Sequence, residues 1–390
     1  MNFKSRNLII IIGNGFDLAH NLPTSYNEFA NHIIKDIIVP NIIDRGNLPI
    51  HSLIKKGVFE KLEYNKLFGV KVNDQDLQRL IVQYQRDNNS KNFIDLLFEN
   101  TNVIKELISN KFLGKLFANQ YENWFDIEQA YFTELINIFQ KSKDSKSSKF
   151  NESEKKEIYE LNENLKEIKE LLVKYLKNIN TKTRIAELFF EDLNDTLESY
   201  CNDRFKDENT KAILEGRKKV LPNFYIVNFN YTNTIQSYFP TLPAKLNYVH
   251  GSLYNKDLIF GYGNDKHRKY GEIKDSGEDE YLKYFKTFEY TNNQNYSNVY
   301  REALDFFNDY DVAILGHSLG QTDKTLLKEI LDNPKCQRIH LYKRSDLNDD
   351  KEEQKKSFVT LVYALGRIID RDSDLRKKLL NYQDSCSFPY

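Results

Sequence analysis

Leu8 to Ile12 is an unbroken aliphatic run that ends in Gly13-Asn14-Gly15. The run is far shorter than the roughly 18 apolar residues of a membrane span, and too short for the apolar core of a secretory signal. It reads instead as a strand covered on both faces, the habit of parallel sheets flanked by helices. The first strand is therefore placed at Asn7 to Ile12. Pro23, Thr24 and Ser25 then open a helix, with Ser25 and Glu28 at capping-box spacing.

Clear strand signals do not return until Asn223. From there the pattern predicts strands at Phe224 to Phe229, Leu246 to Val249, Leu258 to Phe260, Asp311 to Leu315 and Gln337 to Tyr342. Lys, Glu, Asn and Leu in helical patterns fill the middle. The expected fold class is α/β, a Rossmann-like, largely parallel sheet split in sequence by a large helical insertion. The boundaries are 1–30 plus 220–345 for the nucleotide-binding domain, 31–219 for the insertion, and 346–390 for a C-terminal helix packing on the domain.

The insertion carries three local features. Lys141 to Lys149 is charged and low in complexity, and reads as a flexible loop. Ile158, Leu161, Leu165, Ile168, Leu172, Tyr175 and Ile179 recur at steps of three and four. Such a seam serves either a helical hairpin within the chain or a coiled coil between copies. Trp124, Ile127, Tyr131, Leu135 and Ile138 form an apolar stripe, the third feature, into which Glu128 falls while Asp126 points away. A carboxylate on a buried face is costly unless it is paired or lines a cleft, so Glu128 is a candidate for ligand contact or acid–base support.

Charge excludes some functions. Lys+Arg 56 against Asp+Glu 57 gives a formal net charge of -1, which disfavours a nucleic-acid coat or a polybasic membrane binder. The short basic run Lys211, Arg217, Lys218 and Lys219 is the one local exception, and reads as a solvated face. Cys201, Cys336 and Cys386 are too scattered for a zinc site or a disulfide framework, so no metal is predicted and a reducing cytoplasm is the expected location.

Four expected strands end in small or polar residues: Gly13-Asn14-Gly15, Asn228 to Thr232, His250-Gly251-Ser252 and Gly316 to Gly320. Ligands of open parallel sheets bind beyond the carboxyl ends of the strands, so one shared site is the economical reading. The first cluster lacks the third glycine of a dinucleotide fingerprint, since Leu18 stands there, and a plain tight turn is the alternative. Gly316 to Gly320 has the pattern of a hydrolase nucleophile elbow around Ser318. Only His340 follows it, however, inside a strand and with no room for an acid-bearing loop, so serine hydrolysis ranks last. His250 can take a proton near neutral pH, and the Asn230 amide can orient water or a ribose hydroxyl without adding charge.

The order of these motifs, IIGNGFDLAHNLPTSYNEF at Ile11 to Phe29, WFDIE at Trp124 to Glu128, NFNYTNTI at Asn228 to Ile235, YVHGS at Tyr248 to Ser252 and LGHSLGQTD at Leu315 to Asp323, closely resembles the AbiH family of phage abortive-infection proteins. More distantly it is similar to sirtuin-like NAD-binding domains, with Asn230-Tyr231 matching an Asn-Tyr motif and His250-Gly251 a His-Gly motif. The resemblance implies an anti-phage effector with a sirtuin-type domain that hydrolyses NAD, with Asn230 and His250 as catalytic residues; Glu128, from the stripe, joins them as the candidate acid–base support. Gly13, Asn14, Gly15, Phe16, Asp17, Thr24, Ser25, Tyr231, Gly316, His317, Ser318 and Asp323 are the candidate nucleotide-binding residues. Departures stand beside it: GNGFD replaces a GAG-type loop, Thr232 replaces an acid, and nothing here builds the four-cysteine zinc module of deacetylases. NAD or a related nucleotide, a phage-derived trigger and self-association through the insertion are the expected partners, with no membrane. The alternatives are a nucleotide-binding sensor or scaffold, and a nucleic-acid-targeting effector.

Overall fold

The computed structural model describes residues 3–38, 40–41, 51–55, 107–118, 124–144, 152–179, 184–239, 242–254 and 258–388. The chain forms two compact units, one of residues 1–23, 179–277 and 282–390, the other of residues 24–178 and 278–281.

Five parallel strands build the first unit: β1 (Asn7–Ile12), β2 (Asn223–Asn228), β3 (Ala244–Tyr248), β4 (Tyr310–Leu315) and β5 (Cys336–Leu341). Their order is β3-β2-β1-β4-β5. That is the order of the first five strands of the doubly wound dinucleotide-binding fold, with its crossover between β1 and β4. Alternate β1 residues face opposite layers. Ile9 and Ile11 join a core with Tyr225, Val227, Val312 and Leu327, while Leu8, Ile10 and Ile12 join another with Phe224, Ile226, Phe190 and Leu197. With both layers dry, Leu8 to Ile12 are all apolar, which accounts for the run, while Asn7 at the start of the strand donates its side chain to the Asp309 carbonyl.

Two sequence expectations need correction here. Leu258 to Phe260 is buried but forms no strand; Ile259 is instead tied to the turn after β3, its N–H donating to the His250 carbonyl at 2.9 Å. Residues 179–219 belong with the sheet and not with the insertion: the helix Glu187–Arg204 lays Phe189, Phe190, Leu193 and Leu197 on the sheet core. The tail forms two helices, Lys351–Gly366 and Asp372–Lys378, and Ser387–Phe388 pairs with Lys343–Arg344.

In the second unit, Ser25 caps the helix Tyr26–His32 with a full capping box: its hydroxyl accepts from the Glu28 N–H, and the Glu28 carboxylate accepts from Ser25. The seam positions from Ile158 to Tyr175 lie on the helix Glu152–Lys177, which packs against Lys111–Ala118 and Trp124–Asp144 and buries Ile158, Leu161, Leu165, Ile168 and Leu172 within the chain; Ile179 lies beyond the helix. Inside this bundle the Tyr131 hydroxyl donates to buried Asn162 at 2.6 Å, and Asn162 donates in turn to Glu280. Trp124–Asp144 runs through the first residues of the expected 141–149 loop, and the rest of that loop lies outside the described residues. Among the described residues, no helix is long and apolar enough to cross a membrane.

Candidate functional site

Register aligns the strand ends. Ile12 of β1 pairs with Asn228 of β2 and with Leu315 of β4, and Asn228 pairs with Tyr248 of β3. Two residues beyond this shared rung, on four adjacent strands, stand His250, Asn230, Asn14 and His317. The clusters expected from sequence therefore do converge, on the carboxyl edge at the crossover.

The glycines there serve close packing of backbone on backbone. A Cβ on Gly13 would lie 2.6 Å from the His317 Cα, and one on Gly15 would lie 2.8 Å from the Gly316 Cα. Gly316 adopts φ +68°, and its Cβ would meet the Phe16 nitrogen at 2.1 Å. The Gly13 and Gly15 N–H groups donate to the carbonyls of Leu315 and Gly316, at 3.1 and 2.8 Å. Both donors are thus satisfied by β4 and the residue after it, in place of the phosphate contacts expected from the motif.

Asn230 donates its side-chain amide to the Gly13 carbonyl at 3.0 Å, which assigns the amide orientation and turns Oδ1 away from that bond. Its backbone N–H is held by the Asn228 side chain. Beside it Asp17 is buried, with one carboxylate oxygen accepting from the Thr232 hydroxyl at 2.6 Å and Oδ1 lacking a hydrogen-bond partner. Burial pushes its pKa up to about 6, although hydrogen bonds from Thr232, Thr234 and Asn230 pull the other way.

A second cluster lies around Asp323. Lys286, only 1% exposed, places Nζ 2.6 Å from Asp323 Oδ1, and His250 Nε2 is 3.3 Å from the same oxygen. His317 Nε2 approaches Oδ2 at 3.8 Å. Burial alone would raise the Asp323 pKa, but the adjacent Lys286 and the two imidazoles hold it well below the usual carboxylate range. Burial and Lys286 lower the pKa of His250, against the pull of Asp323. Burial likewise depresses His317 to about 4. Both imidazoles are therefore neutral at neutral pH, beside one fixed ion pair. His250 Nε2 lies 3.1 Å from the Tyr290 hydroxyl and 3.3 Å from Asp323 Oδ1, and the ring also bonds the Phe229 backbone. His317 Nδ1 accepts from the Leu319 N–H at 2.9 Å.

Other expected residues sit elsewhere. Phe16 is a core side chain among Phe190, Tyr238 and Phe388, with no face toward the edge. Tyr231 donates its hydroxyl to the Ile259 carbonyl. Ser318 is exposed and makes no hydrogen bond among the described residues. The strained φ of that turn falls on Leu319, at +57°, so Ser318 lacks both the base and the backbone of a nucleophile elbow. Thr24, Ser25 and Glu128 belong to the second unit, where Ser25 caps a helix and Glu128 is buried on its helix as the stripe predicted. Sequence reasoning missed Lys286 and Tyr290, which come from a segment without strand-end motifs. Among the described residues no group of three His, Cys, Asp or Glu side chains is arranged to hold a metal ion.

A parallel sheet with this strand order, and a polar cluster at its carboxyl edge across the crossover, defines a Rossmann-like protein. The sequence pattern of the family described as bacteriophage abortive infection AbiH matches residues 9–343, and the chain belongs to that family. No curated protein and no solved structure matches it.

Proposed function

We propose that this phage-defence protein hydrolyses NAD at the nicotinamide–ribose bond, using the β1–β4 edge in the manner of sirtuin-like domains. The observation that carries the reading is the rung itself: neutral His250 and oriented Asn230 stand on the β1 side of the crossover, with His317 and Asp323 on its β4 side, where doubly wound folds place a dinucleotide. As the C–N bond breaks, its electron pair leaves with nicotinamide and the ribose develops oxocarbenium character. Asn230 Oδ1 accepts from the attacking water or a ribose hydroxyl. Water forms the new C–O bond, and its proton passes to His250, whose depressed pKa keeps a lone pair available. Asp17 takes a ribose hydroxyl on its unpartnered oxygen. A phage-derived trigger restricts this activity to infected cells.

The test is incubation of purified wild type, His250→Ala and Asn230→Ala with NAD, with and without phage lysate, following nicotinamide and ADP-ribose by chromatography. Wild type should release both products, and each substitution should cut release by about a hundredfold or more while the fold is retained. Intact NAD in every wild-type sample would contradict the reading and move weight to a nucleotide-binding sensor.

A further inference from the structure

We propose that Lys286 is a positioning residue of this site: its buried ammonium holds Asp323 where the carboxylate meets both imidazoles, and so governs whether His250 can accept a proton. The geometry supplies three supports. Lys286 is as buried as a core aliphatic, and its stem lies against the backbone of Gly263, where a Cβ would be 3.0 Å from the Lys286 Cδ. Its Nζ makes the shortest contact to Asp323, 2.6 Å, on the oxygen that also faces His250 Nε2. Its backbone N–H is fixed to the Tyr262 carbonyl at 2.9 Å, so the chain delivering it is anchored. Burial of an ammonium is tolerated only beside a well-placed anion, so Lys286 and Asp323 define one another.

The consequence concerns His250. The groups that face it are Asp323 and His317 from the segment after β4, Lys286 and Tyr290 from the segment 286–290, and Phe229 and Tyr231 from the end of β2. Of these, only Asp323 and Lys286 carry charge at neutral pH, and they oppose each other. With Lys286 present, the Asp323 anion contacts His250 without drawing a second proton onto the ring. Without Lys286, that anion would be neutralised most readily by protonating His250, which would then have no lone pair for a substrate-derived proton.

The experiment is NMR titration of the His250 imidazole in the full-length protein, comparing wild type with Lys286→Met, Asp323→Asn, the double substitution and Lys286→Arg. Lys286→Met should raise the proton affinity of His250 about tenfold, one pH unit. Asp323→Asn should lower it, and the double substitution should return it toward wild type. Lys286→Arg, which keeps the charge, should move it by less than about threefold. A His250 titration that ignores Lys286→Met in folded protein overturns the proposal. If Lys286→Met alone is too unstable to titrate, the double substitution must restore the melting temperature, and failure to do so also overturns it. The proposal rests on the NAD reading only for its kinetic consequence, an acid limb of nicotinamide release that moves to higher pH in Lys286→Met. A wild type that releases no nicotinamide, while His250 still follows Lys286, removes the NAD reading and leaves the role of Lys286 standing.

Discussion

Asp17 follows β1 and Asp323 follows β4, and both are buried at the same end of the sheet, yet their surroundings drive them in opposite directions. Asp17 meets hydroxyls and an amide, which hydrogen-bond but carry no compensating charge, and burial wins: its pKa rises to about 6. Asp323 meets the Lys286 ammonium and two imidazoles, and the partners win: its carboxyl stays ionised well below the usual range. Desolvation acts on both, so the difference lies in whether a neighbour supplies opposite charge. Sites that pair acid and base chemistry are built by pushing neighbouring titratable groups apart in this way.

The largest effect should come from breaking the compensated side. Asp323→Ala leaves the Lys286 ammonium buried without its anion, and uncompensated buried charges of that kind cost about 3 to 5 kcal/mol, readable as a large drop in melting temperature. Asp17→Asn probes the uncompensated side with the opposite sign. The folded-state pKa of Asp17 lies above its unfolded value of 3.8, so its contribution to stability is full below pH 3.8 and is lost as pH rises through about 6. Denaturant titrations from pH 4 to 8 should therefore show wild type losing roughly 3 kcal/mol relative to Asp17→Asn. His317 gives the mirror case: its pKa falls from 6.5 to about 4 on folding, so its contribution is full above pH 6.5 and is lost as pH falls toward 4. The acid limb should flatten by roughly 3 kcal/mol in His317→Gln. The smallest change is Tyr290→Phe, which removes the hydroxyl hydrogen-bonded to His250 and should cost about 1 kcal/mol, measured by chemical denaturation.

The central strands and their ends could be read from sequence because each doubly covered strand carries a short unbroken aliphatic run, Leu8–Ile12 in β1 and Val312–Leu315 in β4, whose termination is abrupt. β1 is found where the aliphatic run placed it, and the spacing of Asn230 from His250 matches the β2–β3 register, in which Asn228 pairs with Tyr248. What lay hidden was the partner of each group. Gly13 and Gly15 announce a close approach, but the chain does not say that a strand-end backbone, and not a ligand, makes it. Phe16 and Asp17 are sequence neighbours on one short helix, and only packing sends one into the core and gives the other a polar wall. Lys286 sits in a stretch of short helices with no periodic signal, so nothing local distinguishes it from any surface lysine. The helix Glu187–Arg204 is visibly apolar on one side, yet its partner, the sheet, is built from strands on both sides of it in sequence.

The central claim is that the edge carrying Asn14, Asn230, His250 and His317 is where the nucleotide binds. Its most direct test is NMR of the seven histidine imidazoles while ADP-ribose is titrated into the full-length protein. The account predicts saturable shifts at His250 and His317, with His20 unmoved behind its bonds to Phe16 and Tyr238, and His340 unmoved within β5. Saturation with no movement at His250 and His317, or movement confined to His20 and His340, would contradict it.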